Sequence, residues 1–229
     1  MRIFYLVLGI VLASTLASCH RERTDATLDT EQTVSRPAGA ASKFLYVWAG
    51  DADRKESDFL AVIDAERGSR DYGRVMATLS IAASGTMPHH TEYEYPPGHV
   101  LFANGWVAGR TFLLDLRDPL KPRVAGNFGA VGGYAFPHSF ARLPNGHVLA
   151  TFQSTGNAYA PPGGLVELDE SGALVRAASA VDPNIDPEMI WPYSVAIIAA
   201  ADRAVVTSTP MGYPSWAMMS PRRAAHLER

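Results

Sequence analysis

Apolar residues along this chain come in short bursts. After one N-terminal apolar run from Ile3 to Leu12, the segment from His20 to Ser42 is polar, rich in small residues and without apolar period. That pattern predicts a flexible tether rather than a packed element. From Lys43 the pattern changes to strand-length runs, FLYVWA, FLAVIDA, HVLFAN, TFLLDL, HVLATF, GLVELD and RAVVTST, punctuated by Gly, Pro, Asn and Asp. No stretch carries the i, i+3, i+4 spacing of an amphipathic helix. The expected folded part is an all-β domain over residues 43–229.

An internal repeat orders these strands. PHHTEYEYPPGHVLFANG from Pro88, PHSFARLPNGHVLATFQSTG from Pro137 and PYSVAIIAAADRAVVTSTPMG from Pro192 align on their opening proline. The spacing of about 50 residues suits a four-stranded propeller blade. The first two units each continue into a second strand pair, TFLLDLRDPLKPRVAG and GLVELDESGALVRAAS. Their Asp118-Pro119 step and Asp169 to Gly172 turn are hairpin and loop chemistry. A β-propeller is expected over the alternative, a β-sandwich. From Lys43 to Arg229 the chain accommodates only about three to four such blades, near the lower limit for ring closure. It therefore reads as part of a ring, and an open ring is expected to self-associate.

Composition narrows the partners. A net charge of -3 gives no basis for binding polyanions by charge neutralisation, so no nucleic-acid partner is expected. Residues 1–18 have the layout of a secretory signal: Arg2, then the apolar run, then small residues. They end in Leu16-Ala17-Ser18-Cys19, which resembles the lipobox of bacterial lipoproteins. Cys19 is the only cysteine, which excludes an internal disulfide and makes it the candidate lipidation site. Residues 19–42 would then tether the domain to a membrane. With His20 rather than Asp after the cysteine, the expected location is the periplasmic face of the outer membrane, or the periplasm itself if the segment is a plain cleaved signal and Cys19 is incidental.

The chemistry-bearing candidates are histidines. The first strand of each blade lines the propeller channel, so His89 and His90 at one Pro-His step and His138 at the next can converge across it. Converging neutral imidazoles suit Zn, Cu, Fe or Ni. Neighbouring strand residues point to opposite faces, so His89 and His90 share one ion only where the backbone is irregular. His99 and His147, each in a Gly-His-Val-Leu step, read as packing or solvent-facing. Asp51 and Asp53 read as a solvated loop, lacking the glycine and terminal glutamate of a calcium loop. Trp106, Trp191 and Tyr193 read as packing or channel-lining residues.

Taken together, the paired-His step PHHTEYEY, the PHSFARLPNGHVLATFQ segment and DPLKPRV within GRTFLLDLRDPLKPRV resemble the N-terminal half of the selenium-binding protein family, which includes methanethiol oxidase. The resemblance runs from about Lys43 to Gly212. It implies a seven-bladed propeller in the complete family members, copper bound through histidines, and oxidation of methanethiol by O2 and water to formaldehyde, hydrogen sulfide and hydrogen peroxide. Carried over position by position, it makes His89, His90 and His138 the metal-ligand candidates and a small thiol the expected substrate. Ala49 falls at or beside the family's selenium-linked cysteine, so selenium binding through that thiol is not expected. Ala141 replaces a further family histidine. The alternative reading is a non-catalytic propeller serving as a binding or scaffold module at the membrane.

Overall fold

The computed structural model describes residues 43–156 and 159–211. Cys19, the signal-like segment, the tether, His226 and the C-terminal tail lie outside the described residues. Among the described residues there are thirteen strands and two short 3-10 turns, Pro187–Met189 and Ala199–Ala201. No helix among the described residues is long and apolar enough to cross a membrane.

The strands form four antiparallel meanders. The first is β1 (Phe44–Ala49), β2 (Phe59–Asp64) and β3 (Val75–Ser80); the second is β4 (Pro88–Thr91), β5 (Val100–Gly105), β6 (Arg110–Asp115) and β7 (Arg123–Phe128). The third is β8 (Tyr134–Arg142), β9 (Val148–Thr155), β10 (Gly164–Leu168) and β11 (Leu174–Ser179), and the last is β12 (Pro192–Ile198) with β13 (Arg203–Ser208). Each strand pairs only with its sequence neighbours, which is the up-and-down order of propeller blades. The three-stranded sheet corresponds to the second, third and fourth strands of a blade. Its Ala65 amide donates to the Lys43 carbonyl just as Leu116 donates to His99 in the next sheet, which sets β1 on β5.

Burial follows the radial order. Strand β8 is buried over most of its length and β11 is exposed throughout. That gradient explains why the apolar pattern marked β2, β5, β6, β9 and β10 clearly and β3, an outermost strand with an exposed surface, only faintly. Between the sheets, the two faces of each inner strand are both covered, because alternate residues serve different neighbours. Leu101 and Ala103 of β5 pack with Leu60, Ile81, Phe112, Leu114 and Leu116 toward the first sheet. Phe102, one residue away, packs on the other side with Leu113, Phe140, Val148, Phe152 and Leu168 of the second and third sheets. The blades thus pack face to face through apolar layers, leaving the strands β4, β8 and β12 side by side at the inner edge.

The β10 to β11 hairpin is closed by its turn residues. Asp169 Oδ1 accepts from the amides of Ser171 at 2.8 Å and Ala173 at 2.9 Å, and Gly172 supplies the left-handed backbone with a φ of 81°. An L side chain there would be strained.

Candidate metal centre

Each Pro-His step sits on a β-bulge. On β4, Pro88 pairs with Gly105 and Thr91 with Ala103, so His89 and His90 together face the single residue Asn104. On β8, Pro137 pairs with Phe152 and Phe140 with Ala150, leaving His138 and Ser139 opposite Thr151. Strand β12 repeats this, with Tyr193 and Ser194 opposite Thr207. The residues before the first two prolines, Met87 and Phe136, both lie in the left-handed region, at φ of 57° and 59°. That conformation is costly for a residue with a side chain, and more so before proline. The chain therefore enters both steps through the same strained corner.

The bulge breaks the period-two alternation, and both histidines of the pair turn inward. Ring centroids of His89 and His90 are 4.3 Å apart, those of His89 and His138 5.0 Å, and those of His90 and His138 4.5 Å. One nitrogen from each ring lies within 4.8 Å of the others. His138 is fully buried, and its Nδ1 lies 2.8 Å from the Tyr193 carbonyl. A carbonyl only accepts, so Nδ1 carries the proton and Nε2 presents a bare lone pair.

The Nε2 atoms of His89, His90 and His138 are all buried and all without a hydrogen-bond partner. Leaving a polar atom buried and unmet costs about 1–3 kcal/mol, so three in one place call for a common partner. Burial also lowers the proton affinity of the rings. His138 is held down to about 3, by desolvation first and then by His90 and His89, against the opposing pull of the Tyr193 carbonyl. Desolvation and the neighbouring His89 hold His90 down to about 4, and desolvation alone lowers His89. The cluster is neutral at physiological pH, the form in which imidazole binds a metal.

The donor set and the orphaned lone pairs fit a metal ion of the zinc and copper group. Tetrahedral metal-nitrogen bonds of about 2.0 Å set donors about 3.3 Å apart, so donors that lie within 4.8 Å of one another would have to close by up to about 1.5 Å. Behind the triad the wall is aromatic. Trp106 lies 5.6 Å from His138 and packs against Phe136 and Tyr159, and the Tyr193 ring lies 4.1 Å from His138. Tyr193 and Trp106 are thus lining and packing residues, as their sequence setting implied.

The other candidates lie elsewhere. His99 shares a hydrogen bond with the Tyr95 hydroxyl at 3.0 Å, and His147 pairs with Glu167 at 2.7 Å. Asp53 is an exposed loop residue bonded to Lys55, and Asp51 caps the amides of Lys55 and Glu56. Asn104 and Thr151, which face the bulges, escaped the sequence reading. Aligning the units on Gly-His-Val-Leu moves Asn104 by 48 residues onto Phe152, whereas strand pairing sets it on Thr151. One extra residue within the first unit's strand hides the equivalence.

No family model matches the chain. Over 140 residues, 58% of its length, it is 32% identical to a methanethiol oxidase of Hyphomicrobium sp, covering 31% of that protein. The chain therefore spans about a third of the curated relative that it matches. Among solved structures it is similar to a hypothetical selenium-binding protein from Sulfolobus tokodaii, with a TM-score of 0.50 and 19% identity over 58% of this chain and 34% of that one. The fold is a β-propeller arrangement, and the similarity to the selenium-binding protein and methanethiol oxidase family read from the residues stands.

Proposed function

We propose that His89, His90 and His138 hold a copper ion and that the chain serves in oxidation of methanethiol by O2 and water to formaldehyde, hydrogen sulfide and hydrogen peroxide. The observation that carries this reading is the convergence of three buried, unpartnered Nε2 atoms from two blades. The choice of copper and of a small thiol is supported by the similarity to methanethiol oxidase. When bound, copper would supply one-electron chemistry and a cation that favours the thiolate form of a coordinating thiol.

The chain's own residues would do the rest. The three imidazoles offer neutral nitrogen donors with no proton to displace above mildly acidic pH. The Tyr193 carbonyl holds the tautomer of His138, the usual task of a residue behind a metal ligand. Trp106, Phe136 and Tyr159 close the side behind His138 with apolar surface and keep water from it.

The test is metal analysis of the purified protein together with His89→Ala and His138→Ala. Near one copper per chain in wild type, lost in both variants, with thiol-dependent peroxide release, is the expected result. Absence of copper, or copper indifferent to both changes, would remove the reading. A chain without copper would favour the alternative, a non-catalytic binding or scaffold module, and copper held without any thiol turnover would remove the oxidase activity while keeping the metal site; the match to only a third of the oxidase makes these worth separating.

We further propose export with lipidation of Cys19, placing the domain at the periplasmic face of the outer membrane by its tether. Support comes from the lipobox-like end of the signal segment. Cys19→Ser should shift the protein from the membrane to the soluble fraction; an unchanged distribution would contradict the anchor.

A further inference from the structure

We infer that Asn104 is the positioning residue that makes two adjacent histidines face one point. In a regular strand, His89 and His90 would lie on opposite faces. The bulge removes that alternation, and a bulge persists only where its unpaired backbone groups find other partners. Asn104 is the lone residue across from the pair and is fully buried. Its Oδ1 accepts the His90 amide at 2.5 Å, and its Nδ2 donates to the Pro137 carbonyl at 3.1 Å, one residue before His138. Its own carbonyl accepts Trp48 Nε1 at 2.8 Å from the first sheet. One side chain therefore holds both histidine-bearing segments, on two different blades, in a fixed relation.

The same device recurs with a different side chain. Thr151 Oγ1 accepts the Ser139 amide at 3.0 Å and donates to the Tyr193 carbonyl at 2.8 Å, and Thr207 Oγ1 accepts the Ser194 amide at 3.1 Å. A side-chain acceptor thus steadies the bulge in all three blades. Asparagine stands where the bulge carries two histidines. Both side chains reach the next blade, Thr151 at the Tyr193 carbonyl and Asn104, through its separate amide donor, at the Pro137 carbonyl while its oxygen holds His90. Thr151 reaches the carbonyl of Tyr193 that also fixes the tautomer of His138, so the two devices meet at the triad.

The consequence for metal binding rests on the reading of the triad as a metal site, but the positioning role has a readout of its own. In the metal-free full chain with isotope-labelled histidine, the His90 and His138 rings, 4.5 Å apart, give a ring-to-ring nuclear Overhauser effect. Asn104→Leu should abolish it. Asn104→Thr, which keeps a side-chain acceptor but removes the amide donor to Pro137, should leave it weakened, and it serves in place of the leucine variant if that one does not fold. In wild type loaded with Cu(II), the leucine change should raise the dissociation constant about 10- to 100-fold and alter the paramagnetic resonance spectrum. Folded variants that keep the full wild-type ring-to-ring effect would overturn the inference. If wild type takes up no copper, the metal reading falls and the ring contact still decides the role of Asn104.

Discussion

Removing the carboxylate of Glu92 should destabilise the protein by about 3 kcal/mol. Glu92 stands two residues beyond the histidine pair, with its side chain only 4% exposed. Arg142 of β8 grips both oxygens, Nε to Oε1 at 2.8 Å and Nη2 to Oε2 at 2.9 Å, and the Phe102 amide donates to Oε2 at 3.2 Å. The pair ties the end of β4 to the end of β8, the two strands whose histidines meet. Glu92→Leu leaves the guanidinium with the carbonyls of Gly146 and Val100 and with Glu170 at 3.3 Å, a carboxylate about half exposed. Stripping one partner from a buried pair costs about 3–5 kcal/mol, and these remaining partners place the loss at the lower end. For a domain of this size, that lowers the melting temperature by about 6–12 °C.

Reversible urea denaturation followed by tryptophan fluorescence measures the loss, with a thermal scan as a check. The double variant Glu92→Leu, Arg142→Leu buries no unpaired charge, so it should recover much of the stability, and the double-mutant cycle should give a coupling of about 1–3 kcal/mol. A Glu92→Leu loss below about 1 kcal/mol, or a double variant as unstable as the sum of the singles, would refute the reasoning.

Acid should destabilise the metal-free protein through the triad. His138 and His90 stay neutral in the fold down to about 3 and about 4, while the unfolded chain takes up protons as pH falls through about 6.5. The unfolded state thus binds more protons, and stability falls on acidification by about 1.4 kcal/mol per pH unit for each histidine between pH 6 and 4.5. His138→Gln should flatten that slope by one histidine's share in denaturation series across this range; an unchanged slope would contradict the neutral cluster. Phe152→Ala, in the fully buried layer between the second and third blades, should cost about 3–5 kcal/mol, measured as a drop in the urea midpoint. Thr151→Val keeps the shape but strips the Ser139 amide and the Tyr193 carbonyl of a partner, and should cost about 1–3 kcal/mol in the same assay.

Much of the fold is visible in the chain because it is local. Phe59 to Asp64 and Arg110 to Asp115 are buried on both faces, so their strands read as continuous apolar runs. β3 and β11 bury little and carry a correspondingly faint pattern. The Pro-His recurrence pointed to His89, His90 and His138 as a group, and the triad is where the repeat placed it. The clamps of Glu92 on Arg142 and Asn104 on Pro137 left no such trace, since each joins residues of different blades with no period to betray them.

The sequence by itself determined the all-β class, the blade-length repeat and the equivalence of the Pro-His steps, since these follow from apolar period and turn chemistry. Only the tertiary structure decided that His89 and His90 face the same point. Strand geometry alone sends neighbours to opposite faces, and it takes a two-against-one bulge across Asn104 to override it. That bulge depends on which residue of β5 lies opposite the pair, and register is settled by pairing between strands rather than by either strand alone.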